Sequence, residues 1–205
     1  MSPKYKLHYF DVTALGEPIR FLLSYGNLDW EDIRYDDAKW AAAKATMPFG
    51  QMPVLDIDGK MFAQSTAISR YLAKQVGLFG KDDLENMAID MAVDTFHDFR
   101  QKIGGWFYDP IPESKAAKEG PLKEQIPFYL EKFEKMVKEN GGYLVNGKLT
   151  WGDIYFVAPL KYFKGIAGFD FLEKYPGLQE LVKKVESIPQ IAAYISKRPS
   201  NPRNL

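Results

Sequence analysis

The chain contains no cysteine. That excludes a disulfide framework, a thiolate metal site and a cysteine nucleophile, and it suits a reducing compartment. No charge of one sign is in excess either. The 27 basic side chains balance 27 acidic ones, so the long-range attraction that nucleic-acid binders and polybasic membrane anchors depend on is missing. Apolar runs are short: none approaches the ~20 residues of a membrane span. The opening MSPKYKLHYF lacks the apolar core of a signal peptide. Asn-x-Ser/Thr acceptors, G-x-S-x-G elbows and G-x-G-x-x-G turns are all absent. Histidine is scarce, and His8 and His97 stand without ligand-spaced neighbours, which argues against a zinc site. What is present is a chain of 205 residues, 46% hydrophobic and 15% aromatic, long enough for one domain or two small ones with a packed core. The expectation is a soluble cytoplasmic protein.

Hydropathy patterning divides the chain in two. Tyr5, Leu7 and Tyr9 alternate with Lys6, His8 and Phe10, the period of a strand. Ile19, Leu22 and Leu23 then recur at helical spacing, with Pro18 in the first turn and Gly26-Asn27 as a stop. A second strand is expected at Trp30–Tyr35 and a short alanine-rich helix over 37–46. PVLDIDGKMFA reads as a hairpin turning at Asp58-Gly59. Strands alternating with helices predict a small α/β sheet. From Gln64 onward the strand signals stop. Helices are predicted over 65–76, 82–108, 120–139, 150–167, 176–186 and 188–197. The long one carries Leu84, Met87, Ala88, Met91 and Ala92 on one stripe. Thr150-Trp151-Gly152-Asp153 has the shape of a capping box. The predicted organisation is an α/β domain over 1–77, a linker at 78–81 and an all-helical domain over 82–205.

Few segments carry a chemical signal. Gly142 to Lys148 matches G-x-x-x-x-G-K, but Leu149 follows where a nucleotide site needs Ser or Thr, so it reads as a buried turn. Asp90, Asp94 and Asp98 form a ladder along the long helix; it is either a solvated face or a surface meeting cations of a second subunit or a ligand. Asp94 and Asp98 flank His97, which supplies no hard oxygen for magnesium. Tyr9 ends the first strand, where α/β sheets present ligands. Met52-Pro53 opens a strand, as a turn or cis bond would. Gln64-Ser65 opens a helix, whose amides favour an anion. Three elements thus offer polar groups to one end of the sheet.

KLHYFD, TMPFGQMPVLDIDG, AQSTAISRYLA and LTWGDIYF, in this order and spacing, resemble the glutathione transferase family across essentially the whole chain. Together with VDTFHDFR, the tyrosine of the first motif is most similar to the sigma class, which includes insect transferases and haematopoietic prostaglandin D synthases. The resemblance implies a thioredoxin-like domain joined to a helical one, a homodimer, and glutathione as co-substrate with no metal or redox cofactor. It implies Tyr9 as the donor to the glutathione sulfur, within a site that includes Phe10 and Gly50. Trp40 and Lys44 would meet the glycyl end, and the backbone of Met52, before Pro53, the cysteinyl unit. Gln51, Gln64 and Ser65 would hold the γ-glutamyl carboxylate, and Asp98 would reach its ammonium from the other subunit. Hydrophobic electrophiles would enter a pocket of Tyr9, Phe10, Thr13, Ala14, Leu15, Arg100, Gly104, Trp106, Phe107 and Tyr155. Trp106 and Phe107 read equally well as packing at the helix end, and Phe49 as a dimer key or a packed loop aromatic.

The chain departs from the family pattern in two places. Ala14-Leu15-Gly16 stands where Gly-Arg-Gly/Ala is common, which removes a cation near the thiolate. His97 stands where the vertebrate synthases carry an aspartate of their magnesium site, so metal activation is not expected. The resemblance implies conjugation to lipid-derived aldehydes and xenobiotics; a glutathione-dependent prostaglandin isomerase or peroxidase is the alternative, as is a non-catalytic carrier of hydrophobic ligands.

Overall fold

Residues 4–200 are described by the structure, a computed structural model. β1 (Tyr5–Phe10) buries Tyr5, Leu7 and Tyr9 on one face, as its period requires. His8, on the other face, is buried too, with Nδ1 hydrogen-bonded to the Tyr35 hydroxyl at 2.8 Å. α1 (Glu17–Tyr25) begins with Pro18 in its first turn. It ends with Leu28 N–H bonded to Leu23 O and Asn27 N–H to Ser24 O. The left-handed residue of that Schellman close is Asn27, at φ 47°, rather than Gly26. β2 (Trp30–Tyr35), α2 (Asp37–Ala43) and a 3-10 turn at Lys44–Thr46 follow. β3 (Val54–Ile57) and β4 (Lys60–Ala63) turn at Asp58 and Gly59, both at positive φ. The four strands lie in the order β2-β1-β3-β4, with β1 parallel to β2 and the other pairs antiparallel. α3 (Ser65–Gln75) ends at Gly77, at φ 74°.

The remaining elements are helical: α4 (Asp83–Phe107), α5 (Pro112–Glu139), α6 (Trp151–Val157), α7 (Leu160–Ala167), α8 (Pro176–Glu186) and α9 (Pro189–Lys197). α6 is nearly wholly buried. At its start the Thr150 amide and hydroxyl both donate to Asp153, at 2.7 and 3.0 Å, which closes the expected capping box. The G-x-x-x-x-G-K segment is a turn, but a buried one only at Leu144 and Val145; Asn146, Gly147 and Lys148 are exposed. Leu144 N–H donates to Asp153, and Lys148 pairs with Glu85 at 3.3 Å.

Three helical expectations need correction. α5 starts at Pro112, not at 120, and runs through Pro121 and Pro127. Burial of Leu122, Ile126, Leu130, Phe133 and Val137 along one face sustains it despite the missing amide hydrogens. The span 150–167 is two helices, because Pro159 interrupts the ladder between α6 and α7. Leu84, Met87 and Met91 share a stripe of α4, but it is exposed; the buried stripe is Ile89, Ala92, Val93, Phe96, Phe99 and Ile103. Among the described residues, no helix is long and apolar enough to cross a membrane.

Candidate active site

Two cavities meet at the end of the sheet where β1 stops. The smaller, about 170 Å³, is walled by Leu15, Gln51, Met52, Pro53, Gln64, Ser65, Thr66, His97 and Arg100. The larger, about 530 Å³, is walled by the β1 end, the following loop, α4 and α7, with Tyr9, Phe10, Gly104, Tyr108, Tyr162 and Phe163 prominent. Leu15 and Arg100 belong to both walls.

The turns that build this corner hold the backbone in unusual conformations. Met52-Pro53 is a cis peptide, and β3 follows directly. Gln64, at φ 77°, turns the chain from β4 so that Ser65 opens α3. Ala14, at φ 33°, is the second non-glycine residue of the corner held at positive φ. Such conformations cost on the order of 1–3 kcal/mol and persist where the surroundings over-determine them.

Tyr9 is buried, and its hydroxyl accepts a hydrogen bond from the Leu15 amide at 3.2 Å. Burial pushes the phenol up to about 12, opposed by the Leu15 amide and by the Arg20 and Arg100 cations. The hydroxyl therefore stays protonated at neutral pH, with its hydrogen left to donate. Gly16 makes this placement possible: a Cβ there would lie 2.3 Å from Tyr9 Cδ1.

Behind the loop, Arg20 is fully buried inside α1. It donates to Val12 O at 2.7 Å, Phe10 O at 3.3 Å, Glu17 at 3.0 Å and Asp32 at 3.2 Å. Glu17, also fully buried, accepts from Arg198 at 2.7 Å and from Tyr194 at 3.2 Å. Arg20 thus clamps the two carbonyls flanking the turn out of β1 and closes the charge account around Glu17. An arginine amid Ile19, Leu22 and Leu23 on a helix is the sequence signal for this clamp.

The sequence-derived residues distribute as follows. Gln51, Met52, Pro53, Gln64 and Ser65 line the smaller cavity. Phe10 lines the larger one, and Trp40 stacks edge-on against it at 5.4 Å. Trp40, Lys44 and Gly50 do not line the smaller cavity within this chain; the Lys44 stem runs alongside Gly50. Asp98 is exposed on α4 and lines neither cavity. The acidic ladder divides: Asp90 pairs with Arg70 of α3 at 2.9 Å, whereas Asp94 and Asp98 face outward.

For the larger cavity, Tyr9, Phe10, Ala14, Leu15, Arg100 and Gly104 come together as expected. Thr13, Trp106, Phe107 and Tyr155 do not line it. Thr13 is turned inward, its carbonyl accepting from Glu17 N–H. Trp106 and Phe107 pack under the Lys115 ammonium, 4.9 and 5.1 Å from their ring centres, so they close the end of α4 against α5. Tyr155 lies beneath the smaller cavity, bonded to Ser65 Oγ at 2.8 Å. The residues missed are Thr66 and His97 in one wall, and Val12, Gln101, Gly105, Tyr108, Tyr162 and Phe163 in the other. The Tyr108 and Tyr162 hydroxyls meet across the larger cavity.

The cation judged missing at Leu15 has a counterpart on α4. Arg100 lines both cavities, and its charge acts on the Tyr9 phenol. Among the described residues no carboxylate pairs with it. Nor, among the described residues, do three His, Cys, Asp or Glu side chains converge as metal ligands.

Known proteins share this chain's fold and much of its sequence. Residues 5–74 match the family described as glutathione S-transferase, N-terminal domain, and residues 97–198 match glutathione S-transferase, C-terminal domain. A glutathione S-transferase of Anopheles gambiae is 54% identical over 96% of this chain and 98% of its own. Glutathione S-transferase S1 of Drosophila melanogaster is 49% identical over 95% of this chain and 79% of its own. A solved prostaglandin synthase D of Nilaparvata lugens superposes with a TM-score of 0.93, at 47% identity over 97% of this chain and all of that one. With both domain types in order and identities of this size along nearly its whole length, the chain belongs to the glutathione S-transferase family.

Proposed function

We propose that this chain conjugates the glutathione thiolate to hydrophobic electrophiles, as a cytoplasmic homodimer of the sigma class. The observation that carries the reading is the Tyr9 hydroxyl: buried, fixed by the Leu15 amide and protonated, beside a polar cavity and an aromatic one. A thiol of pKa about 8.5 is only about 3% ionised at pH 7. Making it mostly thiolate takes about two pKa units, about 2.7 kcal/mol. One hydrogen bond to a charged acceptor contributes about 1.5–3 kcal/mol. The Tyr9 donor supplies much of that shift, and the Arg100 cation and the N-terminus of α3 favour the anion further.

In this reading glutathione is the co-substrate, and no metal or redox cofactor takes part. Gln51, Gln64 and Ser65 hold the γ-glutamyl end, the Met52 backbone holds the cysteinyl unit, and Trp40 and Lys44 close over the glycyl end. Asp98 reaches the γ-glutamyl ammonium of the partner subunit. Its exposure supports that role, as do the exposed Leu84, Met87 and Met91 of α4 and the exposed Phe49, Met61 and Phe62 beside β4. The acceptor lies against Phe10, Tyr108, Tyr162 and Phe163, with Arg100 steering a carboxylate where the acceptor carries one. Lipid-derived aldehydes suit this wall, and their removal is a detoxification. Isomerisation of prostaglandin precursors by the same thiolate is a second reading, favoured by the likeness to the Nilaparvata protein named as a prostaglandin synthase.

Ultraviolet difference absorbance of the protein with glutathione at neutral pH tests the proposal. A thiolate band lost in Tyr9→Phe is expected. Glutathione binding without any band in the wild-type protein would replace catalysis by the carrier reading. Product analysis with an unsaturated aldehyde and with a prostaglandin endoperoxide separates the two catalytic readings.

A further inference from the structure

Arg100 stands on the wall common to the two cavities, and the Leu15 amide holds the Tyr9 hydroxyl at that same wall. A long flexible side chain in such a place needs something to aim it. Its Nε donates to His97 Nδ1 at 2.7 Å. A guanidinium only donates, so Nδ1 must be the bare nitrogen and Nε2 must carry the hydrogen. Nε2 lies 2.6 Å from Thr66 Oγ1 and 3.0 Å from the Tyr155 hydroxyl. Tyr155 in turn bonds Ser65 at 2.8 Å. The imidazole is thus gripped on both sides, by α3 and α6 at one nitrogen and by Arg100 at the other.

We propose that His97 is a positioning residue: held in one tautomer by Thr66 and Tyr155, it aims the Arg100 guanidinium at the anion bound beside Tyr9. The inference deepens the thiolate reading above and rests on it for the identity of that anion. The device ties the first turn of α3, where Ser65 and Thr66 sit, to the cation on α4 through hydrogen bonds. Around His97 stand Thr66 from α3, Tyr155 from α6, and Asp98 and Arg100 on α4, while Asp94 acts on Tyr155. Burial and the Arg100 charge lower the imidazole to about 4 against the opposing pull of Asp98, so the bare Nδ1 persists at neutral pH.

The test uses His97→Leu, which removes both contacts, and His97→Asn, whose amide oxygen falls near the place of Nδ1. Calorimetry compares glutathione sulfonate, with a permanent anion at the sulfur, and S-methylglutathione, with none. The preference for the sulfonate is expected to fall about tenfold in His97→Leu and to return within about threefold of wild type in His97→Asn, the size of one charge-assisted contact. S-methylglutathione affinity should fall less than sulfonate affinity. An unchanged preference in His97→Leu, or equal losses in both variants, would overturn the proposal. If His97→Leu does not fold, Thr66→Val carries the test, since it removes the nearer of the two partners of Nε2, loosens the ring and should reduce the same preference. A wild-type protein with no thiolate band, yet with this pattern of affinities, would sink the catalytic reading and leave the role of His97 standing.

Discussion

The two cavities that share Leu15 and Arg100 are made in different ways. The smaller takes Gln51, Met52, Pro53, Gln64, Ser65 and Thr66 from a stretch of 16 residues, 51 to 66, and adds His97 from α4. The larger collects Tyr9 and Phe10, then Gly104 and Tyr108, then Tyr162 and Phe163, from segments about 50 to 100 residues apart. One wall is backbone turns and a helix start, which suit a defined polar ligand. The other is aromatic rings and a glycine pair on α4 whose Cβ positions face open space, which admits varied apolar shapes. Under the proposed function, recognition of the constant substrate sits mainly in one stretch of chain, whereas recognition of the variable one sits in packing.

Several substitutions would break or sharpen that contrast. The largest effect is expected at Arg20, which underlies both cavities. Arg20→Ala leaves Glu17 buried with part of its pairing lost and two loop carbonyls freed. Urea unfolding should show a loss of about 3–5 kcal/mol, the usual result of removing one partner of a buried pair. A loss below about 1 kcal/mol would mean that water replaces the clamp.

Tyr9→Phe comes next. Turnover should fall roughly 10- to 100-fold, following the ~1.5–3 kcal/mol of a hydrogen bond to a charged acceptor. Glutathione affinity by calorimetry should change less than about twofold, because the hydroxyl acts on the sulfur. Unchanged turnover would remove Tyr9 from the chemistry.

Gly16→Ala tests the loop from the other side. Its Cβ would drive into the Tyr9 ring at 2.3 Å, and a shift of that kind should lower turnover about tenfold. Steady-state rates with a bulky and a small acceptor should fall together. A selective loss of the bulky acceptor would place the damage in the larger cavity alone.

Asp98→Ala should weaken glutathione about tenfold, the size of one charge-assisted hydrogen bond, with stability and dimer mass unchanged. Equal binding by calorimetry would refute the cross-subunit contact. It would confine glutathione recognition to the 51–66 stretch and its own helix wall.

The smallest effect concerns pH. His97 has a folded pKa lowered from 6.5 to about 4, so the unfolded chain binds the extra proton first. Its stabilising share is complete above pH 6.5 and is lost as pH falls toward 4. Asp153, which burial pushes up to about 6, works in the opposite sense as pH falls through the same window. The measurement is therefore a difference: urea midpoints of wild type and His97→Asn should converge as pH falls from 6.5 to 4. Parallel curves would mean that His97 does not titrate with folding.

How far the sequence was legible follows the same division. Strand period, the Asp58-Gly59 turn, the Thr150–Asp153 box and the placement of Tyr9 at a strand end are properties of neighbouring residues, and they are readable without a fold. So are the turn at Met52-Pro53 and the helix start at Gln64-Ser65, which is why most of the smaller cavity is legible. The failures share another cause. Pro121 and Pro127 argue locally against a helix, and only burial of Leu122, Ile126 and Leu130 against α4 overrides them. Trp106 and Phe107 look like pocket aromatics until Lys115 is seen lying over both. Leu15 suggests a lost cation, and only the approach of α4 brings Arg100 to the same wall. The partners of His97 are just as invisible, since Thr66 and Tyr155 lie 31 and 58 residues away. By itself the sequence determined the local conformations and the chemistry on offer, because dihedral preferences and side-chain types act over a few residues. The tertiary structure alone decided which side chains face one another, because burial and charge pairing act through space without regard to distance along the chain.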